Sequence, residues 1–93
     1  MLKIAEYNTI TGEKIDLKEL ENYDFKYNRQ NNTYIKTFPH VFFYREIEIY
    51  IDNPNFKRGE IKAYSSITQD FPKEDWIKEN IRDLIKDGLV VEE

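Results

Sequence analysis

The chain has 93 residues, enough for one small domain with a single core. It is 40% hydrophobic and 34% charged, with three Gly and three Pro, which excludes a disordered chain. The absence of cysteine excludes a disulfide framework, a cysteine nucleophile and thiolate zinc sites, and a net charge of −4 excludes a general attraction for phosphate backbones.

That charge is unevenly placed. Residues 1–68 hold ten acids and ten bases, whereas residues 69–93 hold eight acids and four bases. No apolar run approaches the roughly 20 residues of a membrane span. Met1-Leu2-Lys3-Ile4 lacks the apolar core of a secretory signal. A soluble, cytoplasmic protein with no membrane contact is therefore expected. Ile, Lys, Asn, Tyr and Phe are frequent, and Ala occurs only at Ala5 and Ala63. This usage follows A/T-rich codons and points to a low-GC bacterium, its phages or its mobile elements.

Leu2 to Tyr7 reads as a first strand, with Leu2 and Ile4 on one face. Thr11-Gly12 is a turn signal, and Glu13 to Ile15 is read as a short return strand. Gly12 is a turn residue rather than part of a phosphate loop, because no second glycine lies near. Asp16-Leu17-Lys18-Glu19 has the form of a capping box. It starts a short helix to about Glu21, with Leu17 and Leu20 inward. Phe25–Asn28 and Thr33–Phe38 make a hairpin around Gln30-Asn31-Asn32.

Pro39 marks an edge, bulge or corner, since proline donates nothing to a ladder. Val41 to Asp52 then reads as the central strand. Its odd positions are Val41, Phe43, Arg45, Ile47, Ile49 and Ile51, an apolar face broken only by Arg45. Its even positions are Phe42, Tyr44, Glu46, Glu48, Tyr50 and Asp52. Asn53-Pro54-Asn55 ends the strand. Glu60 to Ser65 returns along it, adding Ile61 and Ala63 to the covered face.

Phe71-Pro72 opens the one strong helix, with Glu74 and Asp75 in its first turn. Trp76, Ile77, Ile81, Leu84 and Ile85 form its apolar stripe. Gly88 stands at the C′ position. Leu89-Val90-Val91 is a short terminal strand against the sheet. The expected fold is α+β over residues 1–93 as one domain: a mostly antiparallel sheet of four to six strands, with one main C-terminal helix packed on one face.

For chemistry, His40 is the only histidine, so two-histidine metal motifs are excluded. It reads as a polar corner residue rather than a general base. There is no Gly-rich loop and no Gly-x-Ser-x-Gly elbow; Ser65 and Ser66 are turn residues. No catalytic residue, metal or cofactor is assigned. Three surfaces remain. Glu46, Glu48 and Asp52 share a strand face with Tyr44 and Tyr50, a spacing that permits a cation or acid–base pair. The bland alternative is a solvated face paired with Lys62 or Lys36.

Asp75, Glu79, Asp83 and Asp87 are each four apart and form one acidic row beside Lys78, Arg82 and Lys86. This is either a salt-bridged solvent face or a surface for a basic partner, with carboxylates standing in for phosphates. Phe42, Tyr44 and Tyr50, with Tyr64 beside them, can stack bases or form a protein interface. Arg45, Lys57 and Arg58 are too few for a nucleic-acid site, which favours the protein.

The expected function is a non-catalytic interaction protein binding a protein partner through Tyr44, Tyr50, Glu46, Glu48 and the row Asp75, Glu79, Asp83 and Asp87. Its narrower form is a phage or mobile-element accessory protein. This would inhibit a host enzyme or defence nuclease with a basic nucleic-acid-binding surface. The alternatives are a small carboxylate- or metal-dependent enzyme and a single-strand nucleic-acid-binding module. Direct nucleic-acid binding is not expected, and an exposed strand edge leaves a homodimer open.

Overall fold

The computed structural model describes all of residues 1–93. It is a small α+β fold with two antiparallel sheets. The strands are β1 (Leu2–Ile4), β2 (Lys26–Asn28), β3 (Thr33–Pro39), β4 (Tyr44–Tyr50), β5 (Ile61–Ser65) and β6 (Val90–Glu92). A 3-10 helix covers Leu17–Tyr23, and the helices α1 (Glu74–Asn80) and α2 (Arg82–Lys86) precede β6. The four-stranded sheet runs β2-β3-β4-β5, and β1 pairs with β6 in a second sheet.

Strand alternation sets the core. Ile47 faces Lys36 and Ala63 across the ladders, and Ile49 faces Tyr34 and Ile61. Directly opposed residues share a sheet face, so these side chains make one inner face. Ile47 and Ile49 are fully buried there, in one cluster with Leu20, Ile77, Ile81 and Leu84.

Arg45 belongs to this inner face, which explains why it alone interrupts the apolar pattern. Its Nε donates to Asp70 Oδ2 at 2.6 Å and its Nη2 to Asp70 Oδ1 at 2.5 Å. Its guanidinium also lies 5.0 Å from the Trp76 ring centroid. A bidentate carboxylate and an aromatic face together replace much of the water that the guanidinium gives up. Lys36, expected to pair with the acids of the outer face, instead points inward. Its Nζ sits 5.9 Å from the Phe25 ring and 5.6 Å from the Phe38 ring.

The central strand is shorter than its periodicity predicts. β4 begins at Tyr44 rather than Val41, because β3 continues through Pro39 and the chain reverses immediately afterwards. The His40 N–H donates to the Phe43 carbonyl at 2.8 Å, and their rings stack at 4.5 Å. In an antiparallel ladder alternate residues turn their N–H groups to the same neighbour. Since His40 bonds toward Phe43, the missing N–H of Pro39 falls on the far side, where β2 has already ended. Val41 and Phe42 are therefore the tip of a tight hairpin, 87% and 92% exposed. Val41 is not part of the covered face.

The N-terminal strand spans only Leu2–Ile4, and its partner is β6, with Lys3 opposite Val91. The expected return strand at Glu13–Ile15 makes one bridge, Tyr7 to Lys14, flanked by two bonds: Asn8 N–H to the Glu13 carbonyl at 2.7 Å and Ile15 N–H to the Glu6 carbonyl at 2.9 Å. The terminal strand thus closes the fold through β1 rather than by joining the larger sheet. β1 docks on the β4–β5 connection, where Ile4 N–H donates to the Gly59 carbonyl at 2.8 Å.

The capping box forms as the sequence indicates. Asp16 Oδ1 accepts from Lys18 N–H at 3.0 Å, and Glu19 Oε2 accepts from Asp16 N–H at 2.9 Å. Leu17 and Leu20 face the core.

The C-terminal helix is corrected. It starts at Glu74, after an exposed Phe71, and it is two short helices of seven and five residues, broken at Ile81. Asn80 supplies the physical reason. Its Nδ2 donates to the Trp76 carbonyl at 2.8 Å, so a side chain enters the backbone ladder and bends it. Ile81 adopts φ −120°, outside the helical well. Ile77, Ile81 and Leu84 still reach the core, whereas Ile85, counted in the apolar stripe, is 42% exposed. Gly88 ends the segment at φ 81°.

Candidate functional site

The outer face of the four-stranded sheet collects the predicted strand residues. β4 contributes Tyr44, Glu46, Glu48 and Tyr50; register places Tyr64 beside Glu46 and Lys62 beside Glu48. Tyr44 and Tyr64 tilt against each other with centroids 6.3 Å apart and remain 40% and 46% exposed. The Tyr44 backbone is held by Ser66, whose Oγ accepts its N–H at 2.9 Å and whose own N–H donates to its carbonyl at 2.9 Å. Ser66 is thus a turn residue, as expected. Ser65 is the last residue of β5, and its Oγ accepts from Ile67 N–H at 3.3 Å as the chain leaves the strand.

Further along β4 the face is less open. The Tyr50 hydroxyl donates to Glu48 Oε2 at 2.7 Å, and its ring stacks on Phe56 at 4.3 Å. Burial and this bond raise the Tyr50 hydroxyl well above the usual tyrosine range. Tyr50 is therefore occupied within the fold, unlike Tyr44. Lys62 does not pair with Glu48. Its Nζ lies 3.2 Å from Glu60 Oε2 and 5.8 Å from the Phe56 centroid. Partial burial, aided by the neighbouring Glu48 charge, raises the Glu46 carboxyl. Asp52 sits in the bend past β4, exposed, and no group of three or more such side chains is gathered as a metal ion would need.

At the Tyr44 end lie Phe42, already singled out by the sequence, and further exposed apolar side chains that sequence periodicity did not reveal. Val41 and Phe42 form the β3–β4 tip. The β5–α1 connection leaves beside Tyr44 through Ser66, carries Ile67 and Phe71 at 37% and 78% exposure, and is anchored by Asp70 on Arg45. His40 lies at this corner, stacked on Phe43.

The acidic row is placed elsewhere. α1 lays Trp76 edge-on against Phe38 at 5.2 Å, on the inner face. Asp75 and Glu79 on α1 and Asp83 on α2 are exposed, and none makes an ion pair. Lys78, expected to relieve the row, instead bridges Glu92 and Glu74 at 3.5 Å each. Asp87 caps α2 and accepts from the Tyr23 hydroxyl at 2.6 Å, which with burial pushes that tyrosine up to about 12. The row and the Tyr44–Tyr64 pair therefore lie on opposite sides of the sheet.

The Arg45–Asp70 bond makes the corner acid-sensitive. The guanidinium holds the Asp70 carboxyl below the usual carboxylate range. A carboxyl lowered on folding stabilises fully above its unfolded value and loses that contribution as pH falls through its folded value. The urea midpoint of the native chain is expected to fall as the pH drops below the ordinary aspartate range, near about pH 4. Asp70→Asn should lower the midpoint at neutral pH and flatten this part of the profile. An unchanged acid profile in that variant would show that other carboxyls carry it.

Comparison with family models finds no matching family, and searches among curated proteins and solved structures find no significant match.

Proposed function

We propose that this is a non-catalytic interaction module that binds a protein partner through the Tyr44 end of the outer sheet face. The observation that supports the reading best is the exposure of Val41 and Phe42, 87% and 92%, at the margin of the Tyr44–Tyr64 pair. Aromatic side chains are enriched in protein interfaces and among the residues that dominate their energetics. A contiguous apolar patch at the surface is a mark of an interaction site. The surrounding polar residues, Glu46 and Ser66 among them, suit the rim of such an interface.

A second reading rests on Asp75, Glu79 and Asp83, three carboxylates free of ion pairs. In this reading the row enters the basic groove of a nucleic-acid-binding enzyme and inhibits it, as an accessory protein of a phage or mobile element does to a host nuclease. Because the two surfaces face away from each other, separate variants test them. Capture of partners from the source cell is expected to be lost with Phe42→Asp combined with Tyr64→Asp and kept with Glu79→Lys combined with Asp83→Lys. The reverse pattern would favour the acidic row. Capture unaffected by either pair would sink both readings.

A further inference from the structure

A hollow of about 540 Å³ lies away from the sheet face, where β1 meets the β4–β5 connection. Its floor is apolar: Ile4 of β1 meets Ile15 and Leu17 from the start of the 3-10 helix, all three buried. Its rim carries Lys3, Lys14 and Arg58, against a single carboxylate, Glu6. Lys3 is already paired, 3.3 Å from Glu93. Lys14 and Arg58 are exposed and make no ion pair, in a chain with four more acids than bases. Two unneutralised cations over an apolar floor form a local exception to the charge of the whole protein.

We propose that this hollow binds a small carboxylate-bearing molecule with a short apolar body. Arg58 offers the planar donor fork that matches a carboxylate, and Lys14 adds a second, mobile charge. The body of the ligand would lie over Ile4, Ile15 and Leu17, removing mainly its own apolar surface from water. The rim is poorly suited to cations. A purely neutral ligand would leave both basic groups without a partner. The site shares no residue with the Tyr44–Tyr64 surface, so it stands whether or not that surface binds a protein.

Amide chemical shifts recorded during titration with hexanoate test this directly, with hexanol and inorganic phosphate as matched controls. Hexanoate is expected to shift Ile4, Ala5, Ile15 and Gly59 saturably, while neither control does so at equal concentration. Arg58→Ala should weaken hexanoate roughly tenfold, the loss of one charge-assisted contact. Its thermal unfolding should match the native chain, because Arg58 is exposed and unpaired. An equal response to hexanol would reduce the hollow to an apolar pocket. An equal response to phosphate would reduce it to charge attraction, and undiminished binding by Arg58→Ala would remove the proposed head-group contact; each result overturns the proposal.

Discussion

Replacing Ile49 with Asp is expected to abolish cooperative unfolding. Ile49 is fully buried between Tyr34 and Ile61 on the inner face and belongs to the cluster that joins both sheets to the helices. A carboxylate there would have to lose its hydration while the cations of that face are already engaged, Arg45 by Asp70 and Lys36 over the Phe25 and Phe38 rings, or take up a proton at a cost in free energy. Domains of this kind are stable by about 5–15 kcal/mol, the lower end being usual for short chains. A cost of several kcal/mol is therefore comparable to the total. Arg45 supplies the internal contrast, since a charge on the same face is tolerated where Asp70 and Trp76 meet it. Ile49→Ala grades the effect, with an expected loss of about 2–5 kcal/mol for a truncated core isoleucine. Far- and near-ultraviolet circular dichroism during heating reads both variants. A sharp, native-like transition in Ile49→Asp would contradict the assignment of the inner face.

Gly59→Ala is expected to be the most damaging glycine substitution outside the helix terminus. Gly59 holds φ at 83°, and a Cβ there would stand 2.9 Å from the Ile4 carbonyl oxygen and 3.3 Å from its nitrogen. Those are backbone atoms of β1, so no side-chain rotation relieves the contact. The same glycine donates to the Tyr50 carbonyl at 2.6 Å and accepts from Ile4 N–H, which ties the small sheet to the large one. Left-handed backbone alone costs a residue with a Cβ about 1–2 kcal/mol. Gly12→Ala isolates that part, because Gly12 has φ 77° but nothing within 4 Å of the added carbon. Urea midpoints should therefore fall further for Gly59→Ala than for Gly12→Ala. Amide exchange at Leu2–Ile4 should accelerate in Gly59→Ala alone. Equal midpoints for the two variants would mean that β1 does not dock as described.

The contrast between these positions also explains what could be read from the residues. The alternation of Ile47 and Ile49 with Glu46 and Glu48 is a two-residue pattern imposed by strand geometry, and it was visible without coordinates. The capping box at Asp16 and Glu19, the Phe25–Phe38 hairpin and the C′ glycine at Gly88 are equally local. The missed features were of another kind. Asparagine competes for backbone groups inside a helix, but the apolar stripe from Trp76 to Ile85 was read without regard to Asn80. Pro39 marked a corner, but apolar alternation on both sides of the turn made Val41 and Phe42 look like the start of β4.

Local periodicity in the sequence was enough to determine the α+β class, the β2–β3 and β4–β5 hairpins and the buried face of β4. Neighbouring residues restrict one another through sterics and hydrogen bonds that need no distant partner. The tertiary structure alone decided that β1 pairs with β6, that Asp70 neutralises Arg45, that Lys36 turns inward and that the acidic row lies opposite the tyrosine pair. Each of these depends on which remote segment arrives beside a given residue. That choice is made by the packing of the whole core, where many burial and pairing terms must be satisfied at once.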